Sequence, residues 1–557
     1  MVNCIACGGT LTYDITTGFL RCNSCSKCYA VEDAEIIGAE EEKVFDATVY
    51  ACPKCGGEIV GVNNLAISNC SYCGEQVVLK SRMVKLEKPE RIIPFQITKD
   101  MCKRMFKEKM SKAPCVPSAF RDEGNLEGFR AIYMPHWIYK GEQKGEVSFY
   151  VNDKPKKNQT EYYYHVKGGI DMTYEGMVHD ASSSFPDSMS EQIAPYDMSK
   201  LRDFAPGYYA GFFADAADVA SEVYEFEAER EMVKASKEKM IKMAYVEDKE
   251  VKVSNDAFKE VFHSEITSAS LAMFPVWFMT YRTKDRVSYI TMNGQNGRMA
   301  YDIPVSKPKF LLFSLIFGLF AALFLFVLKL NSPILCTLFM SFVGIFVVLR
   351  HRESIMLITK KAGSSSDFGE NYAKVERAKR KNKEAYEAAK RAGMEDLYED
   401  VYLTPEVNYQ SREDYIRVKE TIDRKRKERA GAVFTILILI VSAIMPILSE
   451  LVMIDGGFML RFIFVFIVIA GIWLGVENLI RLTETEETGK ILKGGFAVFA
   501  VILCGVTLTI FPENLFYYTL VNVISLLMIT ITALDIVDKH NRLGTRKIPH
   551  FDYSKFN

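Results

Sequence analysis

Long apolar runs are absent from residues 1–309 and recur six times between about residue 310 and residue 536. They fall at about 310–328, 333–349, 431–449, 458–476, 494–511 and 515–534, each 17–20 residues long. At 1.5 Å per helical residue, each run covers roughly the 30 Å hydrocarbon layer. The pattern predicts a six-helix transmembrane bundle preceded by a soluble half.

Basic residues sort the loops. Lys307, Lys309, Arg350, Arg352, the Arg424-Lys425-Arg426-Lys427 cluster, Arg481, Lys490, Lys493, Lys539, Arg542, Arg546 and Lys547 all lie on one set of alternate connections. By the positive-inside rule both termini are expected in the cytoplasm. The spans are nearly free of ionisable groups, with Glu450, Glu477 and Asp535 at their boundaries, so an anchor is expected ahead of a conduit. Gly471 and Gly475 have the spacing of close helix contacts and offer a route to a homo-oligomer.

Shorter patterns before residue 310 predict an α+β domain over 85–306. Thr98 to about Ser111 carries Met101, Met105, Phe106 and Met110 at helical spacing, and a longer charged helix is expected from about Ala214 to Met243. An imprecise duplication is also visible. Tyr133-Met134-Pro135-His136-Trp137 is echoed by Met273-Phe274-Pro275-Val276-Trp277, and each copy is expected to form an aromatic-anchored hairpin leading into an alternating strand. Asn293-Gly294-Gln295-Asn296-Gly297 suits a tight reversal. The two tryptophans are expected to be core anchors.

Nine of the thirteen cysteines lie within the first 73 residues. Cys4, Cys7, Cys22 and Cys25 recur 48 residues later as Cys52, Cys55, Cys70 and Cys73, each set reading C-x2-C-x14-C-x2-C. Two such sets predict two Cys4 zinc ribbons, over 1–48 and 49–84, in a reducing compartment. The metal reading is supported by glycines at Cys7-Gly8, Cys55-Gly56 and Cys73-Gly74, where a knuckle turns sharply. Ser26 stands in place of the fourth glycine, and the nearby Cys28 leaves open which of Cys25 and Cys28 is the ligand, with Cys25 favoured by the repeat offset.

The 557 residues are 49% hydrophobic and 25% charged with a net charge of −1, which excludes a disulfide miniprotein and a disordered chain. Residues 1–84 hold six Lys/Arg against ten Asp/Glu, so nucleic acid is not an expected partner of the ribbons. No phosphate loop, HExxH or GxSxG sequence is present. His179-Asp180 beside Ser182-Ser183-Ser184 invites a hydrolytic reading, but a solvated loop is expected there. Non-catalytic work is therefore the leading expectation, with an enzyme site in the middle domain kept as an alternative.

The order of ribbons, Ile92-Ile93-Pro94-Phe95, Tyr133-x-Pro-x-Trp137, Pro206-Gly207-Tyr208-Tyr209-Ala210-Gly211-Phe212, and Pro275-x-Trp277 closing on Asn293-Gly294-Gln295 resembles a poorly characterised bacterial family of zinc-ribbon membrane proteins. Its ribbons are of the transcription-factor-IIB and rubredoxin-like type. The resemblance covers roughly residues 1–310 and implies no established activity. Domains are expected at 307–349 (spans one and two), 350–430 (a charged cytoplasmic insertion), 431–536 (spans three to six) and 537–557 (a cytoplasmic tail). The expected protein sits in a bacterial inner membrane and recruits or regulates other proteins through its ribbons or middle domain. A cytoplasmically gated transport component is the second expectation.

Overall fold

The computed structural model describes residues 3–32, 44–61, 67–78, 80–153, 162–243, 250–251, 263–283, 286–327, 332–363, 492–510 and 514–549. Strands β1 (Leu11–Tyr13), β2 (Leu20–Cys22) and β3 (Cys28–Tyr29) form a separate antiparallel sheet in the first cysteine module. The second module uses β4 (Val44–Ala51), β5 (Glu58–Gly61), β6 (Ile67–Asn69), β7 (Gln76–Val78) and β8 (Lys80–Glu87). The last of these runs through residue 84, where the sequence placed a boundary.

The α+β body follows with β9 (Arg91–Ile92), α1 (Lys99–Ser111), α2 (Glu123–Leu126), β10 (Arg130–Asp153), β11 (Tyr162–Asp180), α3 (Asp187–Ile193), β12 (Arg202–Asp203), β13 (Phe213–Ala214), α4 (Glu225–Met243), β14 (Glu250–Val251), β15 (His263–Thr283), β16 (Arg286–Asn293) and β17 (Met299–Tyr301). One large sheet runs β12-β9-β15-β10-β13-β5-β4-β8, so three strands of the second cysteine module extend the body. Thr98 caps α1 by accepting from Met101 N over 3.3 Å. Its buried stripe is Cys102, Phe106 and Met110, spaced four apart, while Met101 stays exposed.

At the centre β10 and β15 pair antiparallel with Met134 opposite Phe274, Tyr133 opposite Pro275 and Pro135 opposite Met273. This register superposes the two Pro-x-Trp sequences about an approximate twofold axis. The surrounding bonds repeat accordingly. Ile93 N donates to Met273 O over 3.0 Å, and Asp215 N to Tyr133 O over 2.8 Å. Ile97 N donates to Gly294 O over 2.8 Å, and Val219 N to Ala181 O over 3.2 Å. Even the indoles match: Trp277 Nε1 reaches Ile97 O and Trp137 Nε1 reaches Val219 O, each at 2.8 Å.

Two expectations need correction. The first Pro-x-Trp sequence is not followed by a turn: Trp137 and Val147 share the single 24-residue strand β10, whose hairpin partner is β11. A register shift at Tyr139/Lys140 absorbs the irregularity, so the pairing continues. The charged helix begins at Glu225 rather than near residue 214, because residues 213–219 spend their backbone donors on β10 and on the loop at Ala181.

Four apolar helices follow: α5 (Lys307–Val327), α6 (Pro333–Gly363), α7 (Leu492–Ile510) and α8 (Leu515–Leu543), with a short strand β18 (Arg546–Lys547) after the last. Three carry segments long and apolar enough to cross a membrane, Lys307–Phe324, Pro333–His351 and Leu515–Leu543; in α7 the apolar stretch is the shorter Gly495–Leu508. The expected spans 431–449 and 458–476 lie outside the described residues. Among the described residues α6, α7 and α8 form a packed trio, and no part of the Lys307–Phe324 segment is buried. Gly344 permits this packing, since a Cβ there would meet Val501 at 2.7 Å.

The end of α8 is fastened to the α+β body. Arg286 donates to Thr545 Oγ1 over 2.6 Å, to Thr545 O over 2.7 Å and to Arg542 O over 3.0 Å. Arg546 pairs with Asp302 at 3.0 Å, and β18 adds to β16.

Candidate metal centres

Each Cys-x-x-Cys turn closes on the same pair of backbone bonds. Cys4, Cys22, Cys52 and Cys70 donate to the carbonyls of Gly9, Lys27, Gly57 and Glu75, and accept from the amides of Gly8, Ser26, Gly56 and Gly74, all at 2.7–3.0 Å. The residue after the second cysteine must therefore adopt positive φ, which is +70° at Gly8, +74° at Gly56 and +67° at Gly74. Ser26 takes the same conformation at +60°, without glycine's freedom.

These turns bring eight sulfurs into two groups, Cys4/Cys7/Cys22/Cys25 and Cys52/Cys55/Cys70/Cys73, whose ligand atoms lie within 4.8 Å of one another. Measured sulfur separations are 3.6 Å for Cys4–Cys25, 3.5 Å for Cys7–Cys22, 3.8 Å for Cys52–Cys73 and 3.6 Å for Cys55–Cys70. A tetrahedron of thiolates about 2.3 Å from a zinc ion has edges of about 3.8 Å. Both groups fit zinc-ribbon-like sites. Amide donors from Ser24 and Cys25 point at the Cys22 sulfur, and one from Gly57 at the Cys55 sulfur, at 3.4–3.5 Å. Cys28 stays outside the cluster, its sulfur 3.9 Å from Ser26 O.

The two groups differ in setting. All four sulfurs of the second are buried, and its knuckle is locked into the body: Tyr289 Oη donates to Tyr72 O over 3.0 Å, Thr280 Oγ1 donates to Ser71 O, and Arg282 pairs with Glu75. The first module leaves Cys7 and Cys25 exposed. Its inner side rests on the Pro206–Phe213 segment. Tyr13 N donates to Ala210 O over 2.8 Å, the Tyr13 ring lies against Tyr208 and Phe212, and Gly207 allows the approach because a Cβ there would sit 2.8 Å from Val31 O. Ile5 on the first knuckle is 66% exposed, and Phe19 in the turn between β1 and β2 is 49% exposed.

The loop after His179 is buried, not solvated. Asp180, Ser182, Ser183 and Ser184 are each at most 6% exposed. Ser182 Oγ donates to Asp215, and Ser183 donates to Asp218 through N over 2.7 Å and through Oγ over 2.5 Å. Ser182 N donates to Asp180 Oδ1 over 3.1 Å, as Gln295 N does to Asn293 Oδ1 over 2.9 Å in the other half. The carboxylates thus hold a buried turn. The Asp215-x-x-Asp218 spacing ahead of the charged helix was the signal in the sequence.

His136 is also buried, with Nε2 3.0 Å from Ser190 Oγ and Nδ1 3.1 Å from Met134 O. The carbonyl can only accept, so Nδ1 carries the proton and Nε2 accepts from Ser190. Burial pushes its pKa down to about 4. Sequence reasoning missed a third polar group. His351 on α6 meets Asp535 and Lys539 on α8: Nε2 is 3.1 Å from Asp535 Oδ2 and 2.6 Å from Lys539 Nζ, which also lies 2.7 Å from Asp535. His351 stood alone in the sequence, and only the i,i+4 spacing of Asp535 and Lys539 hinted at a pair.

No family model matches the chain, and no solved structure matches it. Over 320 residues, 55% of this chain and 90% of the relative, it is 24% identical to the uncharacterized protein YdjG of Bacillus subtilis (strain 168).

Proposed function

We propose that the chain is a multi-pass membrane protein with both termini in the cytoplasm, in which two structural Zn2+ ions are held by Cys4, Cys7, Cys22, Cys25 and by Cys52, Cys55, Cys70, Cys73, and which recruits or regulates other proteins. Four thiolates close the coordination sphere, so neither ion has a position for water or substrate. The ion in the second ribbon acts as a clamp, joining β4, β5 and β8 to the body. Recruitment belongs to the first ribbon.

The observation that carries this reading is the contrast between the ribbons: one is buried on all four sulfurs, the other leaves Ile5, Phe19, Cys7 and Cys25 exposed. Exposed apolar side chains on a metal-stiffened module, Ile5 on its first knuckle and Phe19 in the turn between β1 and β2, form a preorganised contact. Affinity purification of the full chain in mild detergent, comparing wild type with Ile5→Asp plus Phe19→Asp, tests it. A partner that is retained by wild type and rebinds it after purification, but is lost from the variant, supports the reading. A partner set unchanged by the substitutions overturns it.

A second reading, a transport component, is favoured by the His351–Asp535–Lys539 group, in which His351 and Asp535 are buried, because ionisable side chains within apolar helices are costly to keep. Ion flux in proteoliposomes that Asp535→Asn abolishes supports it; absence of flux in wild type removes it.

A further inference from the structure

Cys28 is left over from the first ribbon, yet it makes a second Cys-x-x-Cys sequence with the ligand Cys25. Both thiols are exposed, whereas every sulfur of the second ribbon is buried. Strand β3 pairs Cys28 with Arg21, the neighbour of Cys22, so its backbone lies directly beside the Cys22–Cys25 knuckle. Between the two thiols, Ser26 is the only non-glycine residue with positive φ among the described residues. That conformation costs on the order of 1 kcal/mol for a residue with a Cβ. The first centre therefore combines access, a strained knuckle and a spare thiol.

Resting on the zinc reading above, we propose that Cys25 and Cys28 form a peroxide-sensitive pair whose disulfide expels zinc from the first ribbon. In the first step the Cys25 thiolate attacks hydrogen peroxide. An S–O bond forms as the O–O bond breaks, leaving a sulfenic acid on Cys25 and hydroxide, which takes a proton from solvent. The metal loses one of its four sulfurs. In the second step the Cys28 sulfur attacks the Cys25 sulfur, the S–O bond breaks, and the departing hydroxide leaves as water with the Cys28 thiol proton. Two thiols supply two electrons, and one peroxide becomes two waters. A disulfide needs Cα atoms about 4.4–6.8 Å apart. A three-residue separation reaches that range once the knuckle is released from metal.

The second ribbon is the internal control. Its four cysteines are buried in one core cluster with Tyr72 and Tyr289, and no further cysteine closely follows its second knuckle.

The test uses the full-length protein in detergent. Zinc is measured before and after hydrogen peroxide treatment with a chromogenic chelator, and disulfides are mapped by mass spectrometry of a non-reducing digest. Two zincs per chain at the start support the metal reading; fewer overturn that reading and this proposal with it. After peroxide we expect one zinc released, the other retained, a Cys25–Cys28 disulfide, and recovery with thiol reductant plus zinc. The exposed Cys28→Ser variant is expected to begin with two zincs, to form no such disulfide and to fail to recover zinc, because unresolved Cys25 sulfenic acid proceeds to sulfinic acid. Equal loss from both ribbons, a disulfide between another pair, or recovery in Cys28→Ser as in wild type overturns the proposal. A starting content of one zinc in Cys28→Ser does so too, since it would make Cys28 a ligand.

Discussion

Trp137 and Trp277 make one hydrogen bond twice: each indole nitrogen donates over 2.8 Å to the carbonyl at the end of a segment crossing behind its strand, Val219 in one half and Ile97 in the other. Both rings are at most 9% exposed. Each half of the body is therefore closed by the same device, an aromatic wedge with a polar tip. Trp137→Phe and Trp277→Phe are each expected to cost about 1–3 kcal/mol, the range for stranding a buried partner. Chemical unfolding of the two variants measures this. A cost confined to one of them would show that the two halves are not energetically alike.

Removing metal should act differently on the two ribbons. Cys52→Ser or Cys70→Ser is expected to lower zinc content to one per chain and to destabilise the whole body, since β4, β5 and β8 belong to its sheet. Cys4→Ser is expected to lose one zinc while the unfolding transition of the body remains. Zinc analysis paired with thermal unfolding reads both effects.

Ser26→Gly is expected to strengthen the first centre. Relief of roughly 1 kcal/mol of left-handed strain corresponds to about fivefold in the zinc dissociation constant. Competition with a chelator of known affinity measures the change. Ser26→Val should weaken binding, because a β-branched side chain tolerates positive φ poorly.

Acid should destabilise the body through His136. Its folded pKa is about 4, below the ordinary 6.5, so the unfolded chain takes up the proton first as pH falls. The contribution is fully present above pH 6.5 and is lost progressively toward pH 4, reaching about 3 kcal/mol. Unfolding curves across this window should fall less steeply for His136→Gln, which keeps a polar side chain at the site without the titration. Parallel slopes for both proteins would rule out this assignment.

The sequence by itself determined what depends on local chemistry and spacing. Two C-x2-C-x14-C-x2-C repeats with their glycines are sufficient to define two knuckle pairs, because metal geometry fixes ligand spacing along the chain. Apolar length likewise marked α5, α6 and α8 as long enough for a membrane, and Thr98 marked the start of α1. Only tertiary structure decided relations between distant residues. Nothing local shows that Met134 faces Phe274, that Asp215 and Asp218 turn the Ser182–Ser184 loop inward, that the second ribbon joins the main sheet while the first keeps an open face, or that His351 meets Asp535 across two helices. Burial and pairing are properties of the assembled chain: a serine or aspartate reads as solvated until the partner that satisfies it, hundreds of ångströms of contour length away or only thirty residues on, is folded against it.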